Sequence, residues 1–273
     1  MAGIDVFIKE PAIDHPLLDL PNVTVTAHLG ANTKESQREI SVQAANNAIE
    51  SARGISYPNA LNLPIDESKI PHFVKPYIEL TQKMAFLLAQ LSKSEIRSIN
   101  ITAEGEISEY LDSLQTFATV GVLAVSCGDE VNYVNANFIA KEKGIDLTTS
   151  EFSNHSGYQN KVSINITTPT GVKTISGTVF NEDVQRIVEI NGFPLDIEPK
   201  GKMIIMRNHD VPGVIGEVGK ILGNNNINIA DFRLSRGKDG ALAVILIDEK
   251  ACSDVLKKLD SLEAAIAVAY AEI

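Results

Sequence analysis

The sequence predicts a chain of α/β and α+β character in three stretches, and three observations carry that reading. Residues 1–55 hold two short strand-like runs followed by a helix, the order in which an α/β domain ends. Residues 56–200 give helices and then a run of strands, a mixed α/β arrangement. Residues 201–273 run strand, helix, strand, strand, helix, strand, the βαββαβ plan of ferredoxin-like folds.

In the first stretch, residues 4–7 and 23–26 read as strands, the second by alternation at period two. Thr33 can cap a helix whose apolar and small positions Ile40, Ala44, Ala48 and Ala52 share one face, and Gly54 can close it. Residues 56–64, with two prolines and two asparagines, read as a linker. Pro71 can open the next helix, in which Val74, Tyr77, Ile78, Met84, Ala85 and Leu88 recur near helical spacing. Residues 97–104 alternate as a strand. Ser108 is placed to cap a helix running to Leu123, and residues 133–143 form another, stopped by Gly144. Residues 146–152, 160–168, 172–180 and 184–190 read as strands. In the last stretch the strands are 203–207, 227–235, 241–247 and 264–270, and the helices 212–223 and 252–259. Residues 241–247 have a continuous apolar centre in place of alternation.

Composition narrows the function. At 44% apolar and 22% charged residues the chain has the balance of an ordered globular protein. Its net charge of −11 argues against nucleic acid and anionic membrane as partners, because both call for a basic surface. No uninterrupted apolar run approaches the ~20 residues of a membrane span, and Asp5 and Glu10 interrupt any leader-like apolar segment at the start. Cys127 and Cys252 are far apart and form no CxxC, which fits a reducing, cytoplasmic setting and gives no metal-binding pattern.

Two constellations carry chemistry. His28 follows a strand and precedes Gly30, a placement from which an imidazole can titrate near neutrality. Glu10 can hydrogen-bond one ring nitrogen, fixing the tautomer and raising the histidine pKa as general acid–base work requires. The alternative is a surface histidine beside a turn, with Glu10 a solvated loop charge. Near the other end, Asn208-His209-Asp210-Val211-Pro212-Gly213 joins a strand to a helix. Gly213 lets backbone come close to a ligand, and the helix amides that follow favour an anion. Asp210 can meet a cation or cap the helix, and one carboxylate can do both. Asn228, entering the next strand, adds an amide. An anion site, a cation partner and an amide together suit a zwitterionic amino acid. His209 reads as surface.

The residues Asp5-Val6-Phe7, Glu10-Pro11, His28-Leu29-Gly30-Ala31 and Thr33 resemble the D-isomer 2-hydroxyacid dehydrogenases. The resemblance implies that residues 1–55 are the C-terminal remnant of the nucleotide-binding (Rossmann-type) and catalytic domains. It implies that His28 exchanges a proton with substrate, Glu10 supports it, and Asp5 contacts the carboxamide of NAD. Ala27 stands where that family usually has proline, and Asn32 where it often has serine. The substrate-binding arginine and the G-x-G-x-x-G turn are expected upstream of residue 1, so this chain alone is expected to be inactive and not to bind NAD tightly. Residues 56–200, through Asn132-Tyr133-Val134-Asn135-Ala136 and Gly177-Thr178-Val179, are similar to the intervening domain of the longer dehydrogenases. Lys75, Lys141, Lys143 and Lys161 are cations there that define no site. Residues 201–273 resemble an ACT domain, which implies binding of L-serine or a similar small amino acid between paired subunits, at Asn208, Asp210, Gly213 and Asn228. A homo-oligomer through that domain follows. The competing classes are a stand-alone amino-acid-binding sensor or regulatory subunit, and a complete small enzyme built on Glu10 and His28, which would lack a phosphate loop or metal cluster.

Overall fold

The computed structural model describes residues 1–52, 70–92, 94–151 and 157–273. The chain divides into two units, Met1–Leu63 and Pro64–Ile273.

In the first unit, β1 (Ala2–Ile4) and β2 (Val23–Val25) form a parallel pair with Ala2 opposite Val23. Strand β1 stops before Asp5, earlier than its apolar run predicts, because Asp5 turns its carboxylate onto the loop after β2. Helix α1 (Lys34–Ala52) starts where expected: Thr33 Oγ1 accepts the Ser36 amide at 3.1 Å. Gly54 and the linker at 56–64 lie outside the described residues. No side chain of described burial in this unit is buried, and Ile40, Val42 and Ile49 on α1 stand about half exposed.

The second unit begins with α2 (Val74–Gln90) and β3 (Ser98–Glu104), followed by α3 (Leu111–Cys127) and α4 (Ala136–Glu142). Strands β4 (Asp146–Glu151), β5 (Lys161–Thr168), β6 (Gly171–Phe180), β7 (Val184–Ile190) and β8 (Phe193–Ile197) complete a six-stranded sheet, ordered β4-β3-β5-β6-β7-β8. Only β3 and β4 pair in parallel, across the α3–α4 connection. Alternation sets the two faces. Ile99, Ile101, Val162, Ile164 and Ile166 are fully buried with α2 and α3, while Asn100, Thr102, Ser163 and Asn165 face the other way and hydrogen-bond across strands. Two glycines permit close approach: a Cβ on Gly121 of α3 would meet the Gln82 carbonyl at 2.3 Å, and one on Gly177, at the β6 bulge, would meet Met84 Sδ at 2.6 Å.

Two further sequence expectations need correction. Ser108 does not cap α3. It lies inside a 3-10 turn (Glu106–Tyr110) with its hydroxyl donating to the Gly105 carbonyl. The helix expected at 133–143 begins only at Ala136, because Asn132 Oδ1 takes the amides of Val134 and Asn135 into a turn. The helical stretch Glu106–Glu130 is, by length and composition, apolar enough to cross a membrane. Half of it is buried, with Leu114, Ala118 and Leu123 in the core that α2 shares, so packing accounts for its apolarity.

The remainder is β9 (Lys202–Asn208), α5 (Val214–Asn224), β10 (Ile229–Gly237), β11 (Gly240–Ile247), α6 (Ser253–Asp260) and β12 (Ala265–Glu272). The sheet is antiparallel throughout, ordered β10-β11-β9-β12, the βαββαβ topology that the sequence predicts. Both of its faces are covered. Ile204, Met206, Ala243 and Ile245 pack with Val218 and Leu222 of α5 and with Val255 and Leu259 of α6. Met203, Ile205, Leu242, Val244 and Ala271 belong instead to the core built on α2 and the six-stranded sheet. That explains the unbroken apolar run of β11: a strand buried on two faces has no polar side to alternate with.

Polar contacts hold the same seam. Gln90, at the end of α2, donates to the Glu272 carbonyl at 2.9 Å and accepts the Glu272 amide at 3.1 Å. Gly201 and Ile273 exchange backbone hydrogen bonds, and the Arg207 guanidinium lies 5.9 Å from the Phe193 ring centre. Burial, and then the hydrogen bond to Glu272, push the Tyr270 phenol up to about 12, so it stays a donor.

Candidate functional site

Strand β1 and the loop after β2 bring Asp5, Glu10 and His28 together. His28 has φ +55, and its amide donates to the Asp5 carbonyl at 3.0 Å. Its Nδ1 lies 2.8 Å from Glu10 Oε2, while Glu10 Oε1 accepts the Phe7 amide at 3.0 Å. The hydrogen bond to Glu10, and then its charge, raise the His28 pKa above the ordinary value. The same bond, helped by the Phe7 amide, holds the Glu10 carboxyl below the usual range. The imidazole is therefore fixed on one nitrogen and offers Nε2 outward, the arrangement of an oriented acid–base group.

Asp5 organises the loop. It accepts the Thr26 hydroxyl and the amides of Leu29 and Gly30, each of the last two at 2.7 Å, and these donors depress its pKa, the Thr26 hydroxyl most. Thr26 was not singled out by sequence reasoning, although a hydroxyl at the end of an alternating strand, beside a loop rich in free amides, is a signal for such a role.

At the far end of the chain, Asn208, Asp210 and Gly213 lie together between β9 and α5. Asn208 is 3% exposed. Its Nδ2 donates to the His209 carbonyl at 2.8 Å, and its buried Oδ1 has no hydrogen-bond partner. Gly213 has φ +97 at the N-cap position of α5, and no side chain caps that helix. Asp210 is not the cap. It pairs with Arg236, Oδ2 to Nε at 3.3 Å. Arg236 was also missed by sequence reasoning. The β10–β11 hairpin brings it there, since Arg236 stands opposite Ala241 and Ala241 opposite Asn208.

Asn228 is not part of this cluster within one chain. Ile229 pairs with Ile247, and Ile247 with Lys202, so Asn228 sits at the opposite end of the sheet from Asn208. Six strand steps separate those ends, roughly 20 Å, much longer than a small amino acid. There Asn228 Nδ2 donates to Asp248 Oδ2 at 2.6 Å, its backbone amide donates to Glu249 Oε2 at 2.8 Å and its backbone carbonyl accepts the Asp248 amide at 3.2 Å, which leaves the side-chain Oδ1 as an acceptor. Among the described residues no group of three or more His, Cys, Asp or Glu side chains is placed to hold a metal ion.

This part of the chain is thus a βαββαβ domain packed on a mixed sheet, with an uncapped helix terminus beside a charged loop at one end. Comparison with known proteins finds a match for each domain. Residues 73–191 match the D-3-phosphoglycerate dehydrogenase intervening domain, and residues 202–264 match the ACT domain. The chain is 37% identical over 247 residues to the D-3-phosphoglycerate dehydrogenase of Bacillus subtilis, covering 90% of this chain and 47% of that protein. It is 31% identical to the enzyme of that name from Archaeoglobus fulgidus, over all of this chain and 53% of the relative. For that of Methanocaldococcus jannaschii the identity is 30%, over 94% and 49%. The chain thus spans about half the length of the curated relatives it matches.

Proposed function

We propose that this chain is the regulatory, C-terminal portion of a D-3-phosphoglycerate dehydrogenase, in which the ACT domain senses L-serine. The parent enzyme would oxidise 3-phosphoglycerate to 3-phosphohydroxypyruvate with NAD, in the synthesis of L-serine. The observation that carries the sensing role is the loop between β9 and α5, which sets an unpartnered buried acceptor, a carboxylate and uncapped helix amides side by side. A ligand with both an ammonium and a carboxylate satisfies all three.

The separation of Asn228 from Asp210 fits the same reading only in an oligomer. In a two-fold pairing of ACT domains, each subunit supplies Asn228 to the loop of the other, so two equivalent sites form at once. The side-chain Oδ1 of Asn228 would then accept from the ligand's ammonium.

For the catalytic half, His28 would take the proton of the substrate hydroxyl, with Glu10 holding the ring and stabilising the imidazolium. The residues present do not fit a tight NAD site: no G-x-G occurs in the 273 residues, so the backbone turn that cradles a pyrophosphate is not supplied here. Asp5 keeps lone pairs for a carboxamide, yet its carboxylate already holds the loop through three donors. This chain alone is therefore expected to leave 3-phosphoglycerate unoxidised. A stand-alone amino-acid sensor is the second reading, favoured by the self-sufficient core of the second unit.

Calorimetric titration with L-serine, with glycine and D-serine as controls, tests the sensing role. Saturable binding of L-serine that weakens in Asp210→Ala and in Asn228→Ala supports it. A folded, oligomeric sample that binds none of the three contradicts it.

A further inference from the structure

We propose that Arg236 reads the ligand's carboxylate, and that binding exchanges the Asp210–Arg236 ion pair for two new pairs, ligand ammonium with Asp210 and ligand carboxylate with Arg236. This rests on the sensing role proposed above and adds a residue and a selection rule to it.

Four features of the same sheet end support the exchange. The pair is a single contact, Asp210 Oδ2 to Arg236 Nε at 3.3 Å, between side chains 40% and 72% exposed. A pair so exposed holds weakly and opens at little cost. The contact uses only Nε, so the two terminal nitrogens of the guanidinium remain for a carboxylate, whose two oxygens match that fork. The uncapped amides at the start of α5 provide further donors to the same anion. Finally, Asn208 Oδ1 is buried without a donor, and an ammonium or hydroxyl hydrogen from the ligand supplies one.

The exchange also explains why a zwitterion should be preferred. An anion beside a cation is the mirror of an ammonium beside a carboxylate, so inserting a zwitterion leaves every charge paired. An amine lacking the carboxylate would take Asp210 and strand Arg236. A hydroxy acid lacking the ammonium would take Arg236 and strand Asp210. Selectivity for the intact amino acid thus requires both members of the pair.

The test is calorimetric titration of the 273-residue chain with L-serine and with L-serinamide, which keeps the ammonium and lacks the carboxylate. Wild type should bind L-serine and discriminate strongly against the amide. Arg236→Gln should weaken L-serine about tenfold or more, leave L-serinamide unchanged or slightly tighter because no guanidinium is then stranded, and so collapse the discrimination. Arg236→Lys should restore part of it, because the charge returns without the fork. If wild type binds L-serine and Arg236→Gln binds it equally well, this inference falls and the sensing role stands. Equal weakening of both ligands also overturns it, since that marks a structural role for Arg236. If wild type binds neither ligand, both readings fall together.

Discussion

Residues 1–52 and residues 70–273 are held together in opposite ways. The first unit has no buried side chain of described burial; its order comes from hydrogen bonds, above all the three donors on Asp5 and the Glu10–His28 pair. The second is built on apolar cores, one of which runs from the six-stranded sheet through α2 into the ACT sheet. Polar contacts open to water contribute little net stability each, whereas apolar burial accumulates with area. The chemistry-bearing loop of the first unit should therefore yield under conditions that leave the second unit intact.

The largest difference should come from core truncation. Leu88→Ala, at a fully buried position of α2, and Met203→Ala, at a fully buried position of β9, should each lower unfolding free energy by about 2–5 kcal/mol in urea denaturation. Because both belong to one core, each should shift the two sheets' unfolding together. Ile40→Ala on half-exposed α1 should stay within about 0.5 kcal/mol. A Met203→Ala protein whose ACT domain unfolds while the six-stranded sheet keeps its wild-type midpoint would break the comparison.

Gln90→Ala removes both hydrogen bonds to Glu272 and should lower stability by about 1 kcal/mol, with no change in the denaturant slope. Thr33→Ala removes the cap of α1 and should reduce its helical free energy by about 1 kcal/mol, visible as faster amide exchange in its first turn while the second unit is unaffected.

The smallest effect is local and depends on pH. The folded pKa of His28 is raised, so the stabilisation from its bond to Glu10 is fully present below the unfolded histidine value and fades as pH rises through the folded one. The folded pKa of Glu10 is lowered, so its contribution is present above the unfolded carboxyl value and fades as pH falls through the folded one. The pair is thus strongest in a mildly acidic window between the two. NMR titration of the His28 ring should show a raised midpoint that returns to the ordinary histidine range in Glu10→Gln. An unchanged midpoint would mean that the pair does not persist in solution.

Much of this fold was legible in the residues. Period-two alternation placed β3, and the continuous apolar centre at 241–247 placed β11. Strand β8 went unread although Asn191-Gly192 stands between Ile190 and Phe193, with φ of +49° and +80°. That dipeptide between apolar runs is a strong hairpin signal. The candidate residues at the C-terminal site were legible as types but not as a group. A strand followed by a helix returns the chain to the end where the strand began, so Asn228 could not join Asp210 within one copy. The next hairpin turn carries the chain back, which is why Arg236 arrives beside Asp210 from a residue that no local pattern marks. Pairing register, which is set by the whole sheet, decided both outcomes.

Hydrogen exchange on the intact chain, with and without saturating L-serine, tests the central claim most directly. One shared core predicts that amides of α2, β9 and β11 open with a common free energy and gain protection together when L-serine is added, while those of α1 exchange faster and do not change. Protection that rises in β9 and β11 alone, with α2 unmoved, would contradict the account of a sheet built into the body of its neighbour, on which the proposed sensing role depends.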